Sequence, residues 1–219
     1  MRQKKLVIIS AGKLGREIHS WAEQAILAGT SWKIKGFLDN RPHLLDEFPG
    51  MAPILGSVEE YAIQPGDVFL CGVGNPLERK RYQEAMERRG GEFTRLIHPS
   101  TVIGPNVEIG EGTLVCPFCH LSRDIRVGRG VFLGPHGNFA HDTIFGDFSQ
   151  LSGSCEVNGN AVVGEGVFVG SHATILPGAS LGEWSYVGAH SLVLRRVNPH
   201  QKVFGVPAVP LASPVSTTS

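Results

Sequence analysis

His141 and Asp142 stand side by side in Phe139-Ala140-His141-Asp142-Thr143-Ile144. A carboxylate next to an imidazole can hold one ring nitrogen as a donor and leave the other as a base. The pair also reads as a solvent-exposed histidine on a turn, and these residues alone leave both readings open. A second constellation is Cys116-Pro117-Phe118-Cys119, in a chain whose other cysteines are Cys71 and Cys155. That spacing suits a metal knuckle or a redox pair. A third is Ser10-Ala11-Gly12-Lys13-Leu14-Gly15 between an apolar run and a helical one. A glycine-containing turn before a helix can cradle phosphate through backbone N–H groups and the helix dipole.

The element that positions His141 is a six-residue repeat. Counted from Ile97, the first place of each hexad is aliphatic or Phe through 17 consecutive hexads, ending at Val193 and its hexad at Asn198. At the chain's apolar content chance gives such a run about four times in ten million. The fifth place is small or medium everywhere except Ile125, and the second place is Gly in nine hexads. A period of six is the hexapeptide β-helix, with a short strand and a turn per hexad and three hexads per coil. Such a coil is a left-handed parallel β-helix, against the usual crossover hand. Coils stack at strand spacing, which makes a prism on the order of 27 Å tall. Large first residues fill the interior, small fifth residues let the corners close, and Gly at the second place suits a turn with unusual dihedrals.

This frame sorts the candidates. Cys119 and Cys155 fall at the small fifth place and Cys116 at the second, which favours packing over ligation. His136, His172 and His190 share the fourth place, a turn. His136 and His141 fall on different turns, which argues against the three converging histidines of a prism zinc site; no metal is expected. One coil is 18 residues, so Gly159 stacks over His141. A backbone N–H exposed there is what an oxyanion site requires. Phe118, Phe132, Phe148 and Phe168 fall outside the interior places and predict apolar prism faces that pack on other copies.

Residues 1–96 read differently. Apolar runs at 6–9, 33–38 and 67–73 alternate with helical patterns, with 58–63 as a short helix and 93–97 as a last strand entering the prism. Alternation of this kind makes a Rossmann-like parallel sheet covered by helices. Ligands of such sheets bind beyond the C-terminal strand ends. Those ends are Ala11, Gly12 and Lys13, then Asp39 and Asn40, then Gly74 and Asn75. Asn75-Pro76 also starts a helix whose Arg79, Lys80, Arg81, Arg88 and Arg89 read as a solvated face. The chain thus divides into an α/β domain over 1–96, a β-helix over 97–198 and a closing segment and tail over 199–219.

Twenty basic residues balance 20 acidic ones in 219 residues. Nothing favours nucleic acid as a partner. No apolar run approaches the roughly 20 residues of a membrane span. Met1-Arg2-Gln3-Lys4-Lys5 leads into a strand without a cleavage signature, which points to the cytoplasm.

Taken together, Ala11-Gly12-x-x-Gly15, Gly36-Phe37-Leu38-Asp39-Asn40, Gly72-Val73-Gly74-Asn75, Ile97-His98-Pro99, His141-Asp142 and Phe204-Gly205-Val206-Pro207-Ala208 resemble the nucleotide-sugar acetyltransferases of the left-handed β-helix superfamily. That group includes bacillosamine and perosamine N-acetyltransferases and the sialic acid O-acetyltransferase. The resemblance spans about residues 4–211. It implies a homotrimer with active sites between prisms, and acetyl-CoA along the groove between them. It also implies a nucleotide-linked amino sugar held by the N-terminal domain, with His141 as base, Asp142 as its partner and the Gly159 amide as oxyanion donor. Contacts to acetyl-CoA map to Gln150, Gly159, Ser171 and Ala189. Two places depart from the pattern: Gln150 stands where many relatives carry a second histidine, and Lys13-Leu14 where they favour Gly-His. An O-acetyltransferase on a sugar such as a sialic acid, or a non-catalytic nucleotide-sugar binder, are the alternative readings.

Overall fold

The computed structural model describes residues 3–211; Met1 and Arg2 of the N-terminal run, and 212–219 of the C-terminal segment, lie outside the described residues. Strands β1 (Lys4–Ile9), β2 (Trp32–Leu38), β3 (Asp67–Cys71) and β4 (Glu92–Phe93) form one parallel sheet in the order β2-β1-β3-β4. Leu6, Val7, Ile8 and Ile9 are all buried, as expected of a strand covered on both faces. Helices α1 (Lys13–Leu27) and α2 (Pro76–Glu87) complete the layer. Helix α1 buries Gly15, Ile18, Ala22 and Ala25 on one side and stops before Gly29, whose φ is 106°. Gly15 and Gly72 let α1 meet the end of β3, because a Cβ on Gly72 would lie 2.7 Å from Gly15 Cα.

Two local expectations change. Residues 58–63 form no helix: Ser57 Oγ accepts from Glu60 N–H at 3.2 Å and closes a turn instead. The strand expected over 93–97 is two strands. Phe93 pairs with β3, while Leu96–Ile97 pairs with Leu114–Val115 in the prism, so the chain changes sheets at Thr94 and Arg95.

From Leu96 the chain winds a β-solenoid of three parallel faces, the first, second and third beginning at Leu96–Ile97, Val102–Ile103 and Glu108–Ile109. Each strand pairs with the strand 18 residues on, as in Asn138↔Glu156 and Gln150↔Phe168. First-place residues from Val115 to Val193 line the interior, and fifth-place residues such as Thr113, Cys119, Thr143 and Ala161 are buried at the corners. The last coil departs from the frame. Ser180 pairs with Arg196 and Tyr186 with Lys202, a step two residues shorter, so Val197 is an interior strand residue rather than a corner one. Val209–Pro210 then pairs antiparallel with Lys202–Phe204 and closes the first face.

Left-handed backbone occurs at the fourth place, not the second. Asn106, Phe118, Asp124, His136, Asp142, Phe148 and Asn160 all have φ between 57° and 61°. Glycine at the second place has another cause, which is proximity. A Cβ on Gly146 would fall 2.5 Å from Glu165 N on the next coil. The four described cysteines are free and buried. Burial pushes the Cys119 thiol up to about 11 and the Cys155 thiol up to about 12, so Cys116 and Cys119 are packing residues. Of the outward phenylalanines only Phe118 is largely exposed, at 60%. Phe132 and Phe148 are buried, and Phe168 stacks on Tyr186 with ring centroids 4.8 Å apart.

Candidate active site

His141 and Asp142 occupy the turn between Asn138–Phe139 on the second face and Ile144–Phe145 on the third. Neighbouring coils clamp this turn. Asp142 N–H donates to Arg123 O at 3.2 Å, and His141 O accepts from Asn160 N–H at 3.0 Å. Thr143 Oγ1 bonds back to Ala140 O at 2.9 Å. Asp142 takes the left-handed conformation, with φ 58°, which aspartate tolerates better than most residues. Its Oδ2 lies 2.7 Å from His141 Nδ1, with both side chains about half exposed. A proton on Nδ1 donated to Asp142 leaves Nε2 as an acceptor, and Nε2 has no partner among the described residues.

Gly159 sits one coil above. A Cβ there would lie 2.7 Å from His141 Cε1 and 2.8 Å from Nε2. The glycine therefore leaves the room the imidazole fills. Its own N–H has no acceptor among the described residues, as is general for the third place, where Pro105, Pro117, Pro135 and Pro177 also occur. Below the pair, Asp124 is held under the usual carboxylate range by Asn106 first and Arg123 second.

The N-terminal residues divide between two cavities. A cleft of about 350 Å³ at the strand ends is lined by Ile9, Ser10, Asp39, Asn40 and Tyr82. Asp39 is engaged within the protein. It accepts Ala11 N–H at 2.9 Å and Arg41 Nε at 2.8 Å. Burial raises its pKa, but the bonds from Arg41 and the Ala11 amide outweigh burial and lower it. Gly12 N–H donates to Ser10 Oγ at 3.2 Å, and Lys13 is exposed. A separate groove of about 500 Å³ runs between the start of α2 and the first face, lined by Gly74, Asn75, Gln150, Phe168, Tyr186 and Lys202. Asn75 Oδ1 is occupied as the cap of α2, accepting Leu77 and Glu78 N–H at 3.0 and 3.1 Å.

Ser171 and Ala189 stack on the turn between the first and second faces. His141 lies on the turn between the second and third, and His136 is on the former turn. One chain thus places His141 on a different corner from Gln150, Ser171, Ala189 and the groove at Gly74.

Arg79 overturns the expectation of a solvated α2 face. It is fully buried and its five donors reach both units: Nε to Gly130 O at 2.8 Å, Nη2 to Phe148 O at 3.0 Å, Nη1 to Val73 O at 3.1 Å and to Gln150 Oε1 at 2.9 Å. Burial lowers its pKa to about 10. Lys80 pairs with Glu165 at 2.7 Å, and Arg89 caps Val58 O and Tyr61 O. A signal was present: Pro76, Arg79, Gln83 and Met86, spaced as one helical stripe, are the buried residues of α2. With too few apolar residues for a stripe, α2 buries a polar one.

Residues 160–195 match the family described as bacterial transferase hexapeptide (six repeats). The acetyltransferase domain of PglB from Neisseria gonorrhoeae superposes with a TM-score of 0.87 at 26% identity, over 95% of this chain and 100% of that domain. The same domain in complex with acetyl coenzyme A matches at 25% identity. PerB from Caulobacter crescentus, in complex with CoA and GDP-perosamine, shares the fold with a TM-score of 0.82 at 24% identity, over 95% of this chain and 97% of that one. In sequence, the chain is 28% identical over 91 residues to GDP-perosamine N-acetyltransferase of Escherichia coli O157:H7, covering 42% of this chain. It is 29% identical over 117 residues to UDP-N-acetylbacillosamine N-acetyltransferase of Bacillus subtilis (strain 168), covering 51% of this chain. The matches span 41% and 51% of the length of these two curated relatives. The family match covers the later coils of a prism built on a six-residue repeat. The chain has a parallel-sheet N-terminal unit and the β-helix of the left-handed β-helix acetyltransferases. No helix of the described residues is long and apolar enough to cross a membrane.

Proposed function

We propose that this chain transfers acetyl from acetyl-CoA to an amino group of a nucleotide-linked amino sugar. The observation that carries the reading is the His141–Asp142 pair, with Nδ1 engaged and Nε2 free, on a fold whose PglB counterpart was solved with acetyl coenzyme A. The names of the relatives supply the acceptor class. In the proposed reaction the amine attacks the thioester carbonyl while His141 Nε2 takes its proton. The Gly159 N–H donates to the oxygen that gains charge, and the CoA thiolate departs. General base action of this kind is worth about 10²–10⁴-fold. Asp142 keeps the tautomer.

The nucleotide lies in the cleft at Ser10, Asp39 and Asn40, with Lys13 at the positive end of α1 offered to the diphosphate. Asp39 acts there by pinning the Ala11 amide and with it the turn. The sugar reaches toward Gly74 and Asn75, and acetyl-CoA runs along Gln150, Ser171 and Ala189. Since His141 lies on another corner of the same prism, a second copy must supply it, and a homotrimer closes such an arrangement. This working division assigns 1–96 to the nucleotide-sugar, 97–198 to acetyl-CoA and 199–219 to closing the prism, in the cytoplasm where acetyl-CoA is made.

The test is a screen of UDP-, GDP- and dTDP-linked amino sugars with acetyl-CoA, following thiol release, with the matching hydroxyl sugars alongside. Thiol release with amine acceptors only is the expected result. Release with hydroxyl acceptors alone would make the chain an O-acetyltransferase, and acetyl-CoA binding without release would make it a binder. A monomer by mass measurement at micromolar protein would remove the shared site.

A further inference from the structure

Gln150 lies on the first face between Phe132 below and Phe168 above. Its Oε1 accepts from Arg79 Nη1 at 2.9 Å. Arginine only donates, so the oxygen of the Gln150 amide must be the atom that faces it. Arg79 has no freedom to turn away. It is fully buried, and its remaining donors hold Gly130 O, Phe148 O, Ser149 O, Val73 O and Gly74 O. The Gln150 Nε2 group is left without a partner among the described residues, on a side chain that lines the groove beside α2. An unrestrained glutamine offers a ligand either a donor or an acceptor; here Arg79 has removed the choice.

We infer that Arg79 is a positioning residue that makes Gln150 a one-way hydrogen-bond donor into the groove, so that the ligand seated there presents an acceptor oxygen. The amide and thioester carbonyls of an acyl-CoA arm are that class of oxygen, and this assignment rests on the acetyl-transfer reading above. The column next to Gln150 agrees with such a ligand. Phe168 and Tyr186 form an aromatic shelf for its methylene segments, and exposed Lys202 follows Tyr186 in register.

The test uses the full chain and acetyl-CoA, by calorimetry and steady-state kinetics, with Gln150→Glu and Gln150→Leu. Glutamate keeps an oxygen on Arg79 and gains an ion pair, but it offers the groove no donor. Gln150→Glu is expected to melt no lower than wild type. It should bind acetyl-CoA on the order of ten- to a hundredfold more weakly, at least as weakly as Gln150→Leu. KM for acetyl-CoA should rise and kcat should move less. Gln150→Glu binding as tightly as wild type overturns the inference, because the groove would then be receiving a donor from its ligand. A wild-type chain that binds no acetyl-CoA overturns the acetyl-transfer reading and this ligand class together, a result distinct from the former. The role of Arg79 is read from a double-mutant cycle. Arg79→Met should raise KM in the wild-type background and add little to Gln150→Leu. Equal effects in both backgrounds reduce Arg79 to a structural residue. Should Arg79→Met fail to fold, the Gln150→Glu result still decides the direction of the bond.

Discussion

The corner that carries Asn106, Asp124, Asp142 and Asn160 and the corner that carries Gly112, Gly130, Phe148 and Gly166 share one left-handed backbone. The first is open. Asn106, Asp142 and Asn160 are exposed and Asp124 is half-buried, and His141 stands beside them with its ring against Gly159. The second is closed. A Cβ on Gly112 or Gly130 would run into Gln83 of α2, and Phe148 is fully buried with Arg129 and Lys80 over its ring, 5.1 and 5.3 Å from its centroid. The same turn thus leaves a polar pair open to solvent at one corner and admits α2 at the other, where glycines make room for it. The difference teaches that the backbone of a repeat is neutral toward function. What differs is the space each side chain leaves and who fills it.

The strongest way to break this comparison is at the open corner. His141→Ala should lower kcat by about 10²–10⁴-fold, with KM for both substrates little changed, as measured by initial rates. Retention of more than about half of the wild-type kcat, against that expected loss, would leave His141 a surface histidine. Gly159→Ala comes next. Its backbone angles suit alanine, so the only obstacle is the imidazole 2.7 Å away. Moving that ring should cost about 10²-fold in kcat, with an unchanged melting curve. A Gly159→Ala enzyme as fast as wild type would mean that the ring's position does not matter.

Glycine substitutions at the two corners sharpen the contrast in stability. Gly130→Ala meets both a φ of 62° and the Phe148 ring at 2.5 Å. About 3 kcal/mol should be lost, from left-handed strain plus overpacking. Gly178→Ala meets a φ of 70° with nothing within 4 Å, and should lose only about 1 kcal/mol. Equal losses in denaturant titrations would show that strain alone, not crowding by Phe148 and Gln83, selects glycine. The smallest effect belongs to Asp124→Asn. Asp124 lies half-buried at the surface and is bonded to Asn106 at 2.8 Å, and asparagine retains an oxygen for that bond. The melting temperature should stay within about 1 °C, as for most surface sites; a larger drop would make the open corner structural after all.

The reach of the sequence differs between these two corners for a physical reason. Where contacts follow a period, a residue's neighbour is a fixed number away, so Gly159 over His141 was legible from the count of 18 alone. The same regularity misassigned the left-handed residues. Hexad frequency reports glycine at the second place, but glycine there answers to the coil above it rather than to its own φ. The shortened last coil was invisible because Val193 and Val197 are apolar in either frame. The two sides of the groove came from reasoning about strand ends and about the repeat separately, and nothing in either joined Gly74 to Gln150.

The run of interior residues from Val115 to Val193, the alternation of strands and helices before it, and the His141–Asp142 turn were determined by sequence, because each depends on neighbours one hexad, one helical turn or one coil away. The burial of Arg79, the direction of the Gln150 amide and the covering of Phe148 were decided only by the tertiary structure. Arg79 lies 71 residues from Gln150, and no local pattern carries a bond across that span. A buried guanidinium is tolerated only where all its donors find acceptors at once, and that condition is met when α2 reaches the corner opened by Gly112 and Gly130.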